Sequence, residues 1–184
     1  MKIVAVYLSS RPGSVSGKVI DALLSGAEEA GAAVRRFSVG NTILGCRGCR
    51  SCQSGKSEVC VVKDGLEDYW TEVRDADMVI LGAGNYMGDV QGQAISFMNR
   101  HYSVMDSSRG MGQRVCRLPG GKKLIGVFAQ GNGDREFYVE PYERYLRHFV
   151  GYGMTPEKPV VVTAADMSEE ALEGYRARGR ALVK

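Results

Sequence analysis

Four of the five cysteines in this 184-residue chain lie within fifteen residues of one another. Cys46, Cys49 and Cys52 follow the pattern C-x2-C-x2-C, and Cys60 comes after seven further residues. Steps of three residues let short side chains converge where the backbone turns tightly, and the glycines among the cysteines permit such turns. A C-x2-C-x2-C run is the ferredoxin signature for three of the four thiolates that hold an iron–sulfur cluster, and Cys60 is the candidate for the fourth.

Basic residues flank these cysteines, namely Arg47, Arg50, Lys56 and Lys63. Because a cluster with four thiolates is anionic, positive charge near its sulfurs stabilises the reduced state and raises the reduction potential. The same charge lowers the pKa of an uncoordinated thiol and makes it reactive. The sequence therefore predicts a 4Fe-4S cluster and leaves two alternatives open. One is redox-active thiols without a metal, and the other is zinc, although the spacing does not reproduce the usual pair of zinc knuckles.

The composition indicates a single domain over residues 1–184, large enough to bury its own core. No apolar run approaches the roughly 18 residues of a membrane span, and the N-terminus looks like a strand, so we expect a cytoplasmic protein. Cytoplasmic thiols stay reduced, and an odd total of five cysteines argues against a disulfide framework. A net charge of +3, without interleaved basic and aromatic residues, argues against a nucleic-acid partner.

Short apolar runs alternate with helical patterns along the chain. Most of these runs are apolar on both faces, as in a buried parallel sheet. They predict strands at Lys2–Leu8, Ala33–Val39, Asp77–Gly82, Lys123–Ala129 and Pro159–Thr163. Helical stripes run from Ile20 to Ala27 and from Tyr138 to Phe149, and the spacing of Asp64 and Glu67 predicts a further helix start. The alternation implies an α/β fold with a doubly wound sheet and right-handed crossovers.

Ligands of such a sheet bind beyond the carboxyl ends of the strands, where three loops have suitable sequences. "SSRPGSVSGK", residues 9–18, brings hydroxyls and an arginine to a helix N-terminus, which is the setting of a phosphate site. "GAGNYMGDVQGQ", residues 82–93, offers Tyr86 and Met87 to a planar ring, and "QGNGD", residues 130–134, is polar enough to meet a ring edge. Each loop alone also suits an ordinary turn, but together they predict a planar ligand with one phosphate.

These segments resemble those of a known family. "SSRPGSVSGK", "GNYMGDVQGQAISFMNR" and "AQGNGD" look like the three flavin loops of the flavodoxin-like NADPH-dependent FMN reductases, and the cysteine run resembles that of their iron–sulfur flavoprotein branch. The resemblance covers nearly the whole chain and implies a five-stranded parallel sheet of order 2-1-3-4-5 with helices on both faces. It implies that FMN is bound by Ser9, Arg11, Ser14, Val15, Ser16, Asn85, Tyr86, Met87, Gly88, Asp89, Gln130, Gly131 and Asn132.

The same resemblance implies an FMN-dependent oxidoreductase that passes electrons between FMN and a 4Fe-4S cluster held by Cys46, Cys49, Cys52 and Cys60. It implies a homodimer or homotetramer. We expect the electron donor or acceptor to be a small molecule or a ferredoxin-like protein, and we expect no side chain to act as an essential acid or base. Two other functions remain open. One is an FMN, quinone or nitro reductase that uses NAD(P)H directly and has no cluster. The other is a flavin-free protein that binds a partner through a zinc knuckle.

Two segments depart from the regular alternation. The cysteine run forms an insertion at residues 45–64, and the least regular stretch is a long loop at residues 101–123, which we expect to be functional or mobile. Its basic residues are Arg109, Arg114, Arg117, Lys122 and Lys123. We expect them to be solvated, with docking of an acidic partner or of the extra phosphate of NADPH as the alternative. Cys116, in the same loop, is expected to be a free thiol.

Overall fold

The computed structural model describes residues 1–107 and 115–183 and has a parallel sheet at its centre. The strands are β1 (Lys2–Tyr7), β2 (Ala33–Ser38), β3 (Met78–Tyr86), β4 (Asp89–Val90), β5 (Met105–Asp106), β6 (Val115–Cys116), β7 (Lys122–Ala129), β8 (Met154–Pro156) and β9 (Val160–Val162). The α-helices are α1 (Val15–Glu29), α2 (Tyr69–Arg74), α3 (Gly92–Arg100), α4 (Val139–Arg147) and α5 (Glu169–Leu182).

The strands of the sheet lie in the order β2-β1-β3-β7-β8, and all of these pairs are parallel. This confirms the predicted order, with β7 in the fourth position and β8 in the fifth. The fifth position is shared, because β8 pairs with the start of β7 and β9 pairs with its end. Pro156 and Pro159 stand at the break between β8 and β9, where a missing backbone N–H prevents continuous pairing.

The helices cover both faces of the sheet, as predicted. α1 and α5 pack on one face, where the core contains Ile20, Leu23 and Leu24. α2, α3 and α4 pack on the other, around Trp70, Phe97 and further aromatic side chains. None of the helices within residues 1–107 and 115–183 has both the length and the apolarity needed to cross a membrane.

In the long loop at residues 101–123, the described parts, 101–107 and 115–123, contain regular structure. It contains a 3-10 turn (His101–Val104) and the antiparallel pair of β5 and β6. The expectation of solvated cations is wrong for two of its residues. Lys122 is buried and its Nζ donates to the carbonyls of Arg74 and Ala76, and Arg117 donates to three carbonyls. Lys123 is exposed, as expected, while Arg109 and Arg114 lie outside the described residues.

His101 is buried in a cluster of aromatic rings next to the sheet. Its ring pairs with Tyr69 at 2.9 Å and with the carbonyl of Phe97 at 3.0 Å. Burial lowers the pKa of His101 from the ordinary value of 6.5 to about 4, so the ring is neutral in the folded protein. Because the unfolded chain binds a proton more readily than the folded one between these two pH values, the folded state loses stability as the pH falls.

We expect this linkage to lower the free energy of unfolding by up to about 3 kcal/mol as the pH falls from about 6.5 to about 4. Urea unfolding at several pH values should show a shallower pH dependence in His101→Gln than in the unmodified protein. His148→Gln serves as the control, since His148 is exposed. Equal slopes in His101→Gln and His148→Gln would contradict the assignment.

Candidate functional site

The carboxyl ends of the parallel strands bring the three predicted ligand loops to one cavity of about 290 Å³. Since all five main strands point the same way, loops far apart in sequence meet at this edge. Nine of the thirteen residues predicted to bind FMN line the cavity, namely Ser9, Arg11, Ser14, Val15, Ser16, Asn85, Tyr86, Gln130 and Gly131. Met87, Gly88, Asp89 and Asn132 lie outside its lining.

The first loop leads into the N-terminus of α1. Ser14 is the N-cap residue, and its Oγ accepts a hydrogen bond from the N–H of Gly17 at 3.2 Å. The Oγ of Ser16 lies 3.5 Å from the Oγ of Ser14, and Ser16 is buried. Two hydroxyls and the free N–H groups at the start of a fifteen-residue helix favour an anion at this end of the cavity.

The second loop is a β-hairpin between β3 and β4. Met87 and Gly88 have φ values of 54° and 85° and lie between the paired residues Tyr86 and Asp89, as in a type I′ turn. This turn directs the fully exposed Met87 side chain away from the cavity, and Asp89 pairs with Arg144 at 2.9 Å. Of the predicted residues 85–89, the hairpin therefore contributes only Asn85 and Tyr86 to the lining of the cavity.

Asn85 is the polar residue that the hairpin presents to the cavity. Its Oδ1 accepts the N–H of Gly88 at 3.2 Å, which stabilises the turn. Its Nδ2 is buried and has no hydrogen-bond partner within residues 1–107 and 115–183. A buried donor without an acceptor is unusual, and a ligand that carries an acceptor would satisfy it.

The third loop is shaped by the side chain of Gln130. Its Nε2 donates to the carbonyls of Asn132 and Asp134 at 2.9 and 2.7 Å, and its Oε1 accepts from the hydroxyl of Tyr142 at 3.0 Å. Because both ends of the Gln130 amide are engaged, this side chain holds the loop in place. The backbone of the loop, including Gly131, then remains to face a ligand.

The sequence did not identify Gln91, whose side chain holds together two strands next to the cavity. This side chain is buried, its Nε2 donates to the carbonyl of Leu8 at 2.7 Å, and its Oε1 accepts from the N–H of Gly84 at 2.6 Å. Gln91 thereby ties the carboxyl ends of β1 and β3 together. Ala164, from the segment after β9, also lines the cavity and had no recognisable signal in the sequence.

The four clustered cysteines line a second, smaller cavity of about 20 Å³. Cys52 is buried, Cys60 is half-buried, and Cys46 and Cys49 are exposed. Among residues 1–107 and 115–183, no three side chains of His, Cys, Asp or Glu come close enough to share a metal ion. The insertion therefore gathers the four thiols around one void, whose volume is about that of a single water molecule.

The thiols in this cavity differ in their environments. Hydrogen bonding to the backbone of Ser51 lowers the pKa of Cys49, whereas burial raises the pKa of Cys52. A lower pKa favours the thiolate, which is the form that binds metals and reacts as a nucleophile. Outside the cluster, burial raises the pKa of Cys116, which is a free thiol as expected.

A buried ion pair closes the cysteine insertion. The guanidinium of Arg100, at the end of α3, contacts the carboxylate of Asp64 and donates to the carbonyls of Leu44 and Val62 at 3.0 and 3.3 Å. Its Nε donates to the sulfur of Cys60 at 3.0 Å. The expected helix start at Asp64 is wrong, because α2 begins at Tyr69 and the Asp64 carboxylate is engaged with Arg100.

Residues of the long loop at 101–123 also form hydrogen bonds with the cysteine insertion. The amide of Gln53 donates to the carbonyls of Tyr102 and Met105, and it accepts from the N–H and the hydroxyl of Ser107. Arg117 donates to the carbonyl of Cys52 at 2.8 Å, and further to the carbonyls of Glu58 and Ser103. The two segments that looked least regular in sequence therefore pack against each other.

The chain is similar to known proteins in sequence. The family model of the NADPH-dependent FMN reductases matches residues 1–117. An iron-sulfur flavoprotein from Methanosarcina thermophila is 24% identical over 183 residues, which cover 93% of this chain and 92% of that protein.

Two solved structures share the fold. An NAD(P)H:quinone oxidoreductase from Methanothermobacter marburgensis superposes with a TM-score of 0.72 at 12% identity, over 100% of this chain and 97% of that one. A flavodoxin, WrbA-like protein from Agrobacterium tumefaciens superposes with a TM-score of 0.63 at 17% identity, over 99% of this chain and 94% of that one.

We expect Asp64→Ala to destabilise the protein by about 3 to 5 kcal/mol, because it leaves the buried guanidinium of Arg100 without a counter-charge. The control is Glu136→Ala, which removes the exposed ion pair with Lys158 and should cost less than about 1 kcal/mol. Chemical unfolding of both variants measures the difference. Similar losses of unfolding free energy in the two variants would show that the buried Arg100–Asp64 pair stabilises the protein no more than an exposed ion pair does.

Proposed function

Because the chain belongs to the NADPH-dependent FMN reductase family and is a flavin-dependent oxidoreductase, we propose that it is an iron–sulfur flavoprotein. In this function, electrons pass between FMN and a 4Fe-4S cluster. The observation that carries the proposal is that four thiols line one cavity, while the predicted FMN loops line another, and that α3 joins the two. The similarity to the Methanosarcina thermophila iron-sulfur flavoprotein supports it.

The larger cavity has the chemistry to hold FMN. Ser14 and Ser16 at the N-terminus of α1 would bind the phosphate, with Arg11 beside them in the lining of the cavity. The unsatisfied Nδ2 of Asn85 would donate to an acceptor on the cofactor, and Tyr86 would contact it. When bound, FMN supplies the exchange between two-electron and one-electron transfer, and the protein orients the ring and excludes water.

The donor set of the smaller cavity fits an iron–sulfur cluster. Cys46, Cys49, Cys52 and Cys60 are the ligands, and the cluster would carry single electrons. A cavity of about 20 Å³ is too small for it, so the exposed part of the insertion has to move outward on binding. Cys46 and Cys49 lie in that exposed part, next to the left-handed turns at Gly48 and Arg50.

Helix α3 connects the two cavities. It begins two residues after the hairpin and ends at Arg100, which contacts Cys60. Nine residues at about 1.5 Å each give a helix of about 14 Å. This rigid element supports the proposal, because it sets the spacing between the flavin loops and the cysteines within one chain.

The second candidate is a reductase that uses NAD(P)H directly and has no cluster. It is favoured by the fact that, within the described ranges, the thiols do not converge as metal ligands do. The solved structures that share the fold of this chain include a quinone oxidoreductase. Under this hypothesis the cysteines are redox-active or free thiols, and the electron acceptor enters the FMN cavity.

Partners and assembly are further parts of the proposal. We infer that the electron donor or acceptor is a small molecule or a ferredoxin-like protein and that the chain forms a homodimer or homotetramer. Exposed apolar side chains support such contacts, since they leave a surface that another molecule can cover. They include Leu44, Val61, Tyr86, Met87 and Phe137.

Anaerobic purification with assays for FMN, iron, sulfide and zinc tests the two candidates. We expect one FMN together with iron and sulfide in the ratio of a 4Fe-4S cluster. Cys49→Ser should lose iron and sulfide and keep FMN, whereas Cys116→Ser should keep all three. FMN without iron or sulfide in the unmodified protein would favour the reductase, and zinc without flavin would refute both.

The phosphate assignment is tested separately by Ser16→Ala. Loss of a hydrogen bond to a charged group costs about 1.5 kcal/mol, so we expect the dissociation constant of FMN to rise about tenfold. Ser25→Ala, on the same helix but away from the cavity, is the control. Titration of the flavin-free protein with FMN measures both, and equal affinities would refute the role of Ser16.

A further inference from the structure

The side chain of Arg100, a buried cation, lines the cysteine cavity. No local sequence pattern predicts it there. Arg100 is 1% exposed, and its Nε donates to the sulfur of Cys60 at 3.0 Å. The other guanidinium nitrogens are occupied by Asp64 and by two backbone carbonyls. The whole group is therefore fixed in orientation, with one N–H directed at a proposed cluster ligand.

A second buried donor lines the same cavity. Ser103 is 2% exposed, and its Oγ has no hydrogen-bond partner within residues 1–107 and 115–183. An unsatisfied buried hydroxyl destabilises a fold, and such groups call for an explanation when they occur in a native structure. A sulfur-rich ligand in the cavity would supply the missing acceptor.

The cations adjacent to the cysteines in sequence are placed differently. All four are exposed to solvent, namely Arg47, Arg50, Lys56 and Lys63. Water and salt screen exposed charges strongly, whereas a hydrogen bond in a buried site acts at a low effective dielectric constant. Arg47 and Arg50 line the same cavity as Arg100, but their exposure to solvent screens their charges, so the buried Arg100 acts on the sulfur of Cys60 with less screening.

We propose that Arg100 and Ser103 donate hydrogen bonds to sulfur atoms of the cluster and thereby raise its reduction potential. This inference rests on the proposed function, since it requires the cluster to be present. Reduction adds one electron to an already anionic cluster, so N–H and O–H donors at its sulfurs stabilise the reduced state more than the oxidised one. Asp64 balances the charge of Arg100 and keeps its Nε directed at Cys60.

The test is a potentiometric titration of the anaerobically purified holoprotein, followed by the absorbance of cluster and flavin. We expect Ser103→Ala to retain full iron and to have a more negative cluster midpoint potential, with the FMN midpoint unchanged as an internal reference. Ser103→Ala removes only an unsatisfied hydroxyl, so the variant should fold normally. Arg100→Lys keeps the charge next to Asp64 but loses the planar donor, and a larger negative shift is expected.

Lys63→Gln is the control, because it removes an exposed positive charge beside the insertion. Its cluster potential should match that of the unmodified protein. Unchanged potentials in Ser103→Ala and Arg100→Lys at full iron content would overturn the inference and leave the proposed function intact. An equal shift in Lys63→Gln would overturn it as well. Absence of iron from the unmodified protein would overturn the proposed function and this inference together.

Discussion

The buried ion pair of Arg100 and Asp64 is the interaction on which the cysteine site depends. It joins the end of α3 to the end of the insertion, and the same guanidinium reaches the carbonyl of Leu44 at the start of the insertion. The N–H of Leu44 also donates to the Asp64 carboxylate at 2.8 Å. The insertion is therefore a closed loop with fixed ends, which lowers the entropy cost of bringing its thiols together.

The same constraint links the two cavities. The N-terminal end of α3 follows the hairpin that borders the larger cavity, and its C-terminal end carries Arg100. Gln91, just before α3, ties together the ends of β1 and β3 through buried hydrogen bonds. A single short helix is thus anchored at one end to the sheet edge and at the other to the cysteines. The helix thereby sets the spacing between the two cavities within one chain.

Much of the fold was predictable because it depends on local patterns. Apolar runs identified β1, β2, β3, β7 and β9 but not β8, and the sheet order and helices on both faces followed the expected arrangement. The sequence-based predictions were wrong where a side chain bonds to a residue far away along the chain. Asp64 has the spacing of a helix cap, yet its carboxylate binds Arg100, 36 residues away. Arg117 and Lys122 look like surface cations, but backbone carbonyls from other segments surround them.

The sequence by itself determined the α/β alternation, the three ligand loops and the cysteine spacing, because each is set by residues close together in the chain. Only the tertiary structure decided which loop residues face the cavity. The type I′ turn sends Met87 to solvent, and internal hydrogen bonds engage the side chain of Gln130. It also brought the distant Arg100 to the sulfur of Cys60, in a cavity that Arg47 and Arg50 line as well. Burial and hydrogen-bond direction arise from packing between distant segments, and spacing along the chain does not encode them.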